Sequence, residues 1–143
     1  MLYGTYFHNI DAKGRLFVPA KLRDELGESF FVTQGLDDCL FVYSEPEWEK
    51  FAEKLDSIQL ADEEGQDFVR EFFENGCVCE PDKQGRILLP QTLRDYIGVE
   101  KEAVITGIRN RAEIWSKEGW TARHNKTQEE RKKMKARLFD LGI

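Results

Sequence analysis

The stretch Asp11–Gly27, DAKGRLFVPAKLRDELG, aligns without a gap on Asp82–Gly98, DKQGRILLPQTLRDYIG. At this offset of 71 residues (11 to 82), Asp11/Asp82, Gly14/Gly85, Arg15/Arg86, Pro19/Pro90, Leu22/Leu93, Arg23/Arg94, Asp24/Asp95 and Gly27/Gly98 are identical. Leu16/Ile87, Phe17/Leu88, Val18/Leu89 and Leu26/Ile97 differ but stay apolar. One residue inserted in the second copy moves the offset to 72, where Val32 meets Val104, Gly35 meets Gly107, Ser44 meets Ser116 and Trp48 meets Trp120. The likeness spans roughly residues 4–48 and 75–120, too much for chance. The chain is an internal duplication.

Within one copy the pattern predicts β-β-α-β-β. TYFHNID and RLFVP read as short strands joined by a turn at Ala12-Lys13-Gly14, with glycine supplying the permissive backbone. Pro19 ends the strand and opens a helix, whose first turn does not need its N–H. AKLRDELG gives two helical turns with Leu22 and Leu26 on one face and Gly27 as the stop. SFFVTQG and CLFVYS are two further strands. CVCEPD, RILLP, QTLRDYIG, AVITG and AEIWS repeat the series in the second copy. Ser44 with Glu47 forms a capping-box pattern before a helix whose Trp48, Phe51, Ala52 and Leu55 share one face. A second, acidic helix runs near Asp62–Glu74; a short one carries Trp120, and a basic one begins at Thr127 with Glu130. This last helix offers only Met134, Leu138 and Leu141 as an apolar stripe. Four segments follow: a first repeat at 1–48, an acidic helical connector at 49–74, a second repeat at 75–120 and a basic helical segment at 121–143. A unit of this size buries too little surface alone. Two copies sharing one core by interleaved strands make a covalent pseudo-dimer.

The 143 residues carry a net charge of -6, and the acid is uneven: residues 45–74 hold -8, whereas residues 121–143 hold +4. Both motif copies are slightly basic, so a local cationic face can meet phosphate despite the overall charge, because screening confines the useful field to about 10 Å. No apolar run approaches the roughly 20 residues of a membrane span. The N-terminal MLYGTYFHNIDAKGR shows no signal-peptide pattern, so a cytoplasmic location with Cys39, Cys77 and Cys79 as free thiols is expected.

Core packing explains the apolar positions but not Asp11/Asp82 and Arg15/Arg86. Four residues apart across a glycine turn, the carboxylate can hold the guanidinium by two hydrogen bonds. Two readings stand: a structural pair that fixes the turn, or an Asp that orients an Arg toward an anionic partner. Arginine's planar fork suits phosphate and the O6/N7 edge of guanine. Arg23 and Arg94 add a second pair of positive charges, or form a solvated helix face. Cys77 and Cys79 would share one strand face, but no second Cys/His pair stands at zinc spacing, so they read as small strand residues and no metal or other cofactor is expected. His8 and His124 lack a Ser or Cys partner and no glycine-rich phosphate loop opens a long helix, which argues against an enzyme. Trp48 and Trp120 read as packing residues.

The pattern D-x-x-G-R-h-x-h-P-x-x-h-R-x-x-h-G, with h apolar, resembles the AbrB-like swapped-hairpin DNA-binding domains. Two copies with these spacings and helices after each resemble the MraZ family of bacterial transcriptional regulators. The resemblance implies an α+β fold in which the duplicated units form one intertwined AbrB-like (double-psi/swapped-hairpin) barrel flanked by helices. It also implies a ring-shaped homo-oligomer, associated with the nucleoid, that binds promoter direct repeats of the cell-division and cell-wall gene cluster. Arg15 and Arg86 map onto the DNA-contacting arginines, and Asp11 and Asp82 onto the acids that orient them. Lys13, Lys21, Arg23, Lys83 and Arg94 are further DNA candidates by proximity. Where AbrB-type relatives often carry basic residues, this chain has His8 and Cys79 before the motif acid and Asp24 and Asp95 after the helix arginine. The alternative is a protein-interaction module, antitoxin-like or scaffolding, docking through the acidic segment 45–74.

Overall fold

The computed structural model describes residues 1–143. Each copy gives β-β-α-β-β followed by two helices. The first comprises β1 (Leu2–Asn9), β2 (Arg15–Phe17), α1 (Ala20–Leu26), β3 (Phe30–Gln34), β4 (Cys39–Ser44), α2 (Glu45–Asp56) and α3 (Glu63–Glu74). The second comprises β5 (Cys77–Cys79), β6 (Arg86–Leu88), α4 (Gln91–Ile97), β7 (Glu102–Arg109), β8 (Arg111–Ser116), α5 (Lys117–His124) and α6 (Gln128–Asp140). Pro19 and Pro90 stand at the N-caps of α1 and α4, and Ser44 Oγ accepts the Glu47 N–H at the start of α2.

Six strands form an antiparallel sheet in the order β1-β7-β8-β4-β3-β5, and β2 and β6 form a separate two-stranded ribbon. Strands of the two copies therefore interleave. β1 pairs with β7 from Leu2↔Arg109 to Asn9↔Glu102, β4 with β8, and β5 with β3. The turn at Ala12-Lys13-Gly14 does join β1 to β2, but it makes no hairpin, because each strand takes its partner from the other copy. Nor do the hydrogen bonds close into one barrel. The sheet ends at β1 and β5, which do not pair with each other. α3 runs on to Glu74, and Pro81 and the turn at Asp82 follow soon after, so β5 is held to three residues beside the eight of β1. The observed class is mixed, six helices with antiparallel strands.

The main core is shared evenly. Leu16, Leu22, Leu26, Phe30, Val32 and Leu40 from the first copy meet Ile87, Leu89, Leu93, Ile97, Ile105 and Ile114 from the second, all buried. Fully burying one such side chain contributes about 1.5–3 kcal/mol. A second cluster lies under α2 and α3, where Trp48, Leu55 and Phe72 pack on Phe41, Tyr43, Val104 and Trp115. By contrast α5 and α6 bury no residue, and Met134, Leu138 and Leu141 are all exposed. No helix is long and apolar enough to cross a membrane.

Candidate nucleic-acid interface

Each D-x-x-G-R segment folds as a closed loop of five residues. In the first, the Gly14 N–H donates to Asp11 O (3.0 Å) and the Asp11 N–H to Arg15 O (3.1 Å). In the second, Gly85 donates to Asp82 O (2.9 Å) and Asp82 to Arg86 O (2.8 Å). The chain turns at glycine because φ is +84° at Gly14 and +82° at Gly85, a region costly for residues with a Cβ. Asp11 Oδ1 accepts the N–H groups of Lys13 and Arg15, both at 2.9 Å, and Asp82 Oδ1 accepts those of Gln84 and Arg86 at the same distances. The remaining oxygen accepts the arginine Nε, at 2.6 Å from Arg15 and 3.0 Å from Arg86. The arginine's backbone N–H, then its side chain, hold each carboxyl below the usual aspartate value. Both acids are therefore ionised at neutral pH and keep their arginines in place.

The ribbon brings the two turns together. β2 and β6 run antiparallel with Leu16 opposite Ile87, and these two point into the core. Period-two alternation then puts Arg15, Phe17, Arg86 and Leu88 on the outward face, with Arg15 opposite Leu88 and Phe17 opposite Arg86. Two cross-copy bonds lock the arrangement: the Val18 N–H donates to Gly85 O and the Leu89 N–H to Gly14 O, both at 2.9 Å. Arg86 Nη1 approaches Asp11 Oδ2 of the other turn at 3.9 Å, so the motifs are neighbours. Each arginine uses its Nε on its own acid, and the terminal amino groups of Arg15 carry no hydrogen bond within the chain. With side chains 34% and 30% exposed, these forks are oriented yet accessible.

Arg23 and Arg94 each reach across to the opposite copy. Arg23 Nε donates to Val18 O (2.7 Å) while its guanidinium covers Gly85; Arg94 Nε donates to Leu89 O (2.9 Å) while its guanidinium covers Gly14. They brace the turns and leave their outer amino groups beside the ribbon. Lys13 and Lys83 are exposed on the turns themselves. Lys21 stands apart on α1, lining a shallow groove with Met1, Tyr3, Asp24 and Glu25. Asp95 accepts from Gln91 (2.7 Å), and Asp24 lines a groove with Glu28, Glu80 and Asp82.

Two outward residues lie beyond the sequence-based site. Leu88 is 62% exposed between the arginines. Phe17, half-buried, lies under the Arg23 guanidinium at 5.6 Å and against the His8 ring at 5.0 Å. Alternation from Arg15 was the available signal; their apolar character pointed to the core instead. A two-stranded ribbon fits the major groove of B-DNA, where arginine forks reach guanine and apolar groups reach the thymine methyl. No cluster of three or more His, Cys, Asp or Glu residues is placed to hold a metal.

Comparison with known proteins agrees with the duplication. Residues 1–71 and 72–142 each match the family described as "MraZ protein, putative antitoxin-like". A protein named Transcriptional regulator MraZ from Caldicellulosiruptor bescii is 46% identical over 143 residues, all of both chains. One of the same name from Thermoanaerobacter sp. is 47% identical over all of both chains, and one from Desulforamulus reducens is 52% identical over 84% of each.

Proposed function

This chain belongs to the MraZ family, and from that premise we propose that it is a transcriptional regulator that reads DNA with the outward face of its β2–β6 ribbon. One observation carries the reading: two arginines, each held by its own aspartate, converge on a single exposed face from opposite ends of the duplication. Arg15 and Arg86 make the base or phosphate contacts, with Leu88 and Phe17 packing between them. Asp11 and Asp82 set the arginine geometry. Lys13, Lys83, Arg23 and Arg94 add positive charge around the ribbon, while Lys21, among acids, contributes least. The targets are direct repeats in the promoter of the division and wall cluster, read by a ring-shaped homo-oligomer of swapped-hairpin subunits at the nucleoid. A single ribbon presents few charges, so affinity comes from several subunits engaging several repeats at once. No catalytic role is assigned.

The test is fluorescence anisotropy of labelled promoter DNA, with intact and scrambled repeats, over a salt series. Binding should require the repeats and weaken with salt by a log–log slope of about -0.9 per phosphate neutralised. Binding that ignores the repeats would overturn it. The exposure of Phe68 and Phe73 on acidic α3 supports a second reading, a protein-docking module, which a salt-insensitive partner and no promoter binding would favour.

A further inference from the structure

Cys77 and Cys79 belong to neither the ribbon nor the aromatic packing. They share one face of β5, and their Sγ atoms lie 3.7 Å apart. Both thiols are free, Cys77 half-buried and Cys79 buried. The hydrogen bond between the two sulfurs pulls the Cys77 thiol down, while that same bond, then burial, push Cys79 up. Cys77, the more accessible sulfur, is thus the one a soluble oxidant reaches first, and Cys79 lies behind it as the resolving thiol. Cys39 is a contrast, 1% exposed, its thiol pushed up by burial to about 12.

We propose that Cys77 and Cys79 are an oxidisable dithiol, closed by hydrogen peroxide, on the strand that leads into the second Asp–Arg turn, and that closing it withdraws Arg86 from DNA. The Cys77 thiolate attacks one peroxide oxygen; the O–O bond breaks and hydroxide leaves, taking up a proton to become water. The resulting sulfenic acid is attacked at sulfur by Cys79. Its S–O bond breaks, and hydroxyl leaves with the Cys79 proton as a second water. Two thiols are oxidised to one disulfide, and one peroxide is reduced to two waters.

Closing this bond tightens the strand locally, because the Sγ atoms must come from 3.7 Å to about 2.05 Å. Residues two apart in an extended strand stand about 6.6 Å apart at Cα, at about 3.3 Å per residue. That lies near the upper end of the roughly 4.4–6.8 Å that disulfides span, with a commonest separation of about 5.5–6 Å. Closure is therefore within reach of β5, and it relaxes toward the favoured separation by shortening the strand. This strand is free to do so, being a sheet edge paired only with Phe30–Val32 of β3. Only Glu80 and Pro81 separate Cys79 from Asp82, whose carboxylate holds Arg86. The first copy has Tyr6 and His8 at these positions, so the device acts on one arginine of the two.

The regulatory half rests on the DNA reading above, and the experiment separates them. Reduced full-length protein is treated with stoichiometric hydrogen peroxide, its bridges are mapped by peptide mass spectrometry, and promoter binding is followed by anisotropy. A Cys77–Cys79 bridge should appear with Cys39 still alkylatable. Affinity should fall about tenfold or more, the effect of losing one arginine fork, and dithiothreitol should restore it. C77S and C79S should keep their binding after peroxide, and C79S should yield a Cys77 sulfenic acid trapped by dimedone. No bridge between these two cysteines would overturn the proposal. A bridge with unchanged affinity would overturn the regulation alone. A reduced protein that ignores the promoter would sink the DNA reading and the regulation with it, while the peptide map would still decide the dithiol chemistry.

Discussion

The two copies agree at their turns, ribbon and short helices and differ at their flanks. Asp11 and Asp82 accept the same pairs of N–H groups at the same distances, and the Arg23/Gly85 and Arg94/Gly14 contacts repeat reciprocally. Yet β1 has eight residues where β5 has three, and α2 and α3 bury several side chains while α5 packs only through half-buried Trp120 and α6 lies exposed. Such agreement amid divergence says that the turns and ribbon answer to one geometric demand, and the flanks to others.

The flanks offer the largest test of that contrast. Trp48 and Trp120 are equivalent by repeat, but Trp48 stacks on Phe31 at 4.0 Å and meets Tyr43, Phe51 and Phe73. Trp120 touches Phe7 edge-on and stacks on exposed His124. Trp48→Ala should therefore cost about 3–5 kcal/mol of stability and Trp120→Ala clearly less, in paired urea titrations. Equal losses would mean that the two tryptophans carry the same packing load. The ribbon should behave in the opposite way. Leu16→Ala and Ile87→Ala remove facing, fully buried side chains. Each should cost about 2–5 kcal/mol, and similar amounts, by the same titration.

Much of this was legible in the sequence, for identifiable reasons. The motif spacing revealed the duplication, and the helix faces at Leu22/Leu26 and Trp48/Leu55 are the ones buried. Strand partners were less legible. Alternation tells which face of RLF is buried, but not whether β2 pairs with β1 across a short turn or with β6 of the other copy. That choice is made by the shared core. Phe17 and Leu88 were misplaced for a related reason: an apolar residue in a strand reads as interior unless its register is known. The closeness of Arg86 to Asp11 also depends on long-range pairing, and no local pattern encodes it.

Smaller effects probe the turns. Gly14→Ala and Gly85→Ala would place a Cβ 2.6 Å and 2.9 Å from an arginine guanidinium, at positive φ. Each should cost about 1–3 kcal/mol by thermal denaturation, alike in the two copies. Acidification should act more gently. Because the folded carboxyls of Asp11 and Asp82 are depressed, their contribution is fully present above the ordinary aspartate value of about 3.9. It is lost as pH falls through the lowered folded value. Asp11→Asn and Asp82→Asn should each flatten the stability profile in that acid window and leave its neutral part similar in shape.

In the proposed function the duplicated arginines form one DNA-reading surface. Its most direct test is anisotropy on promoter repeats with Arg15→Ala, Arg86→Ala and the double variant, folding checked by circular dichroism. Each single change should weaken binding by about 1–3 kcal/mol and relax repeat preference, and the double change should abolish it. Folded variants that bind the repeats as tightly as the parent would contradict this reading and return both Asp–Arg pairs to bracing a turn.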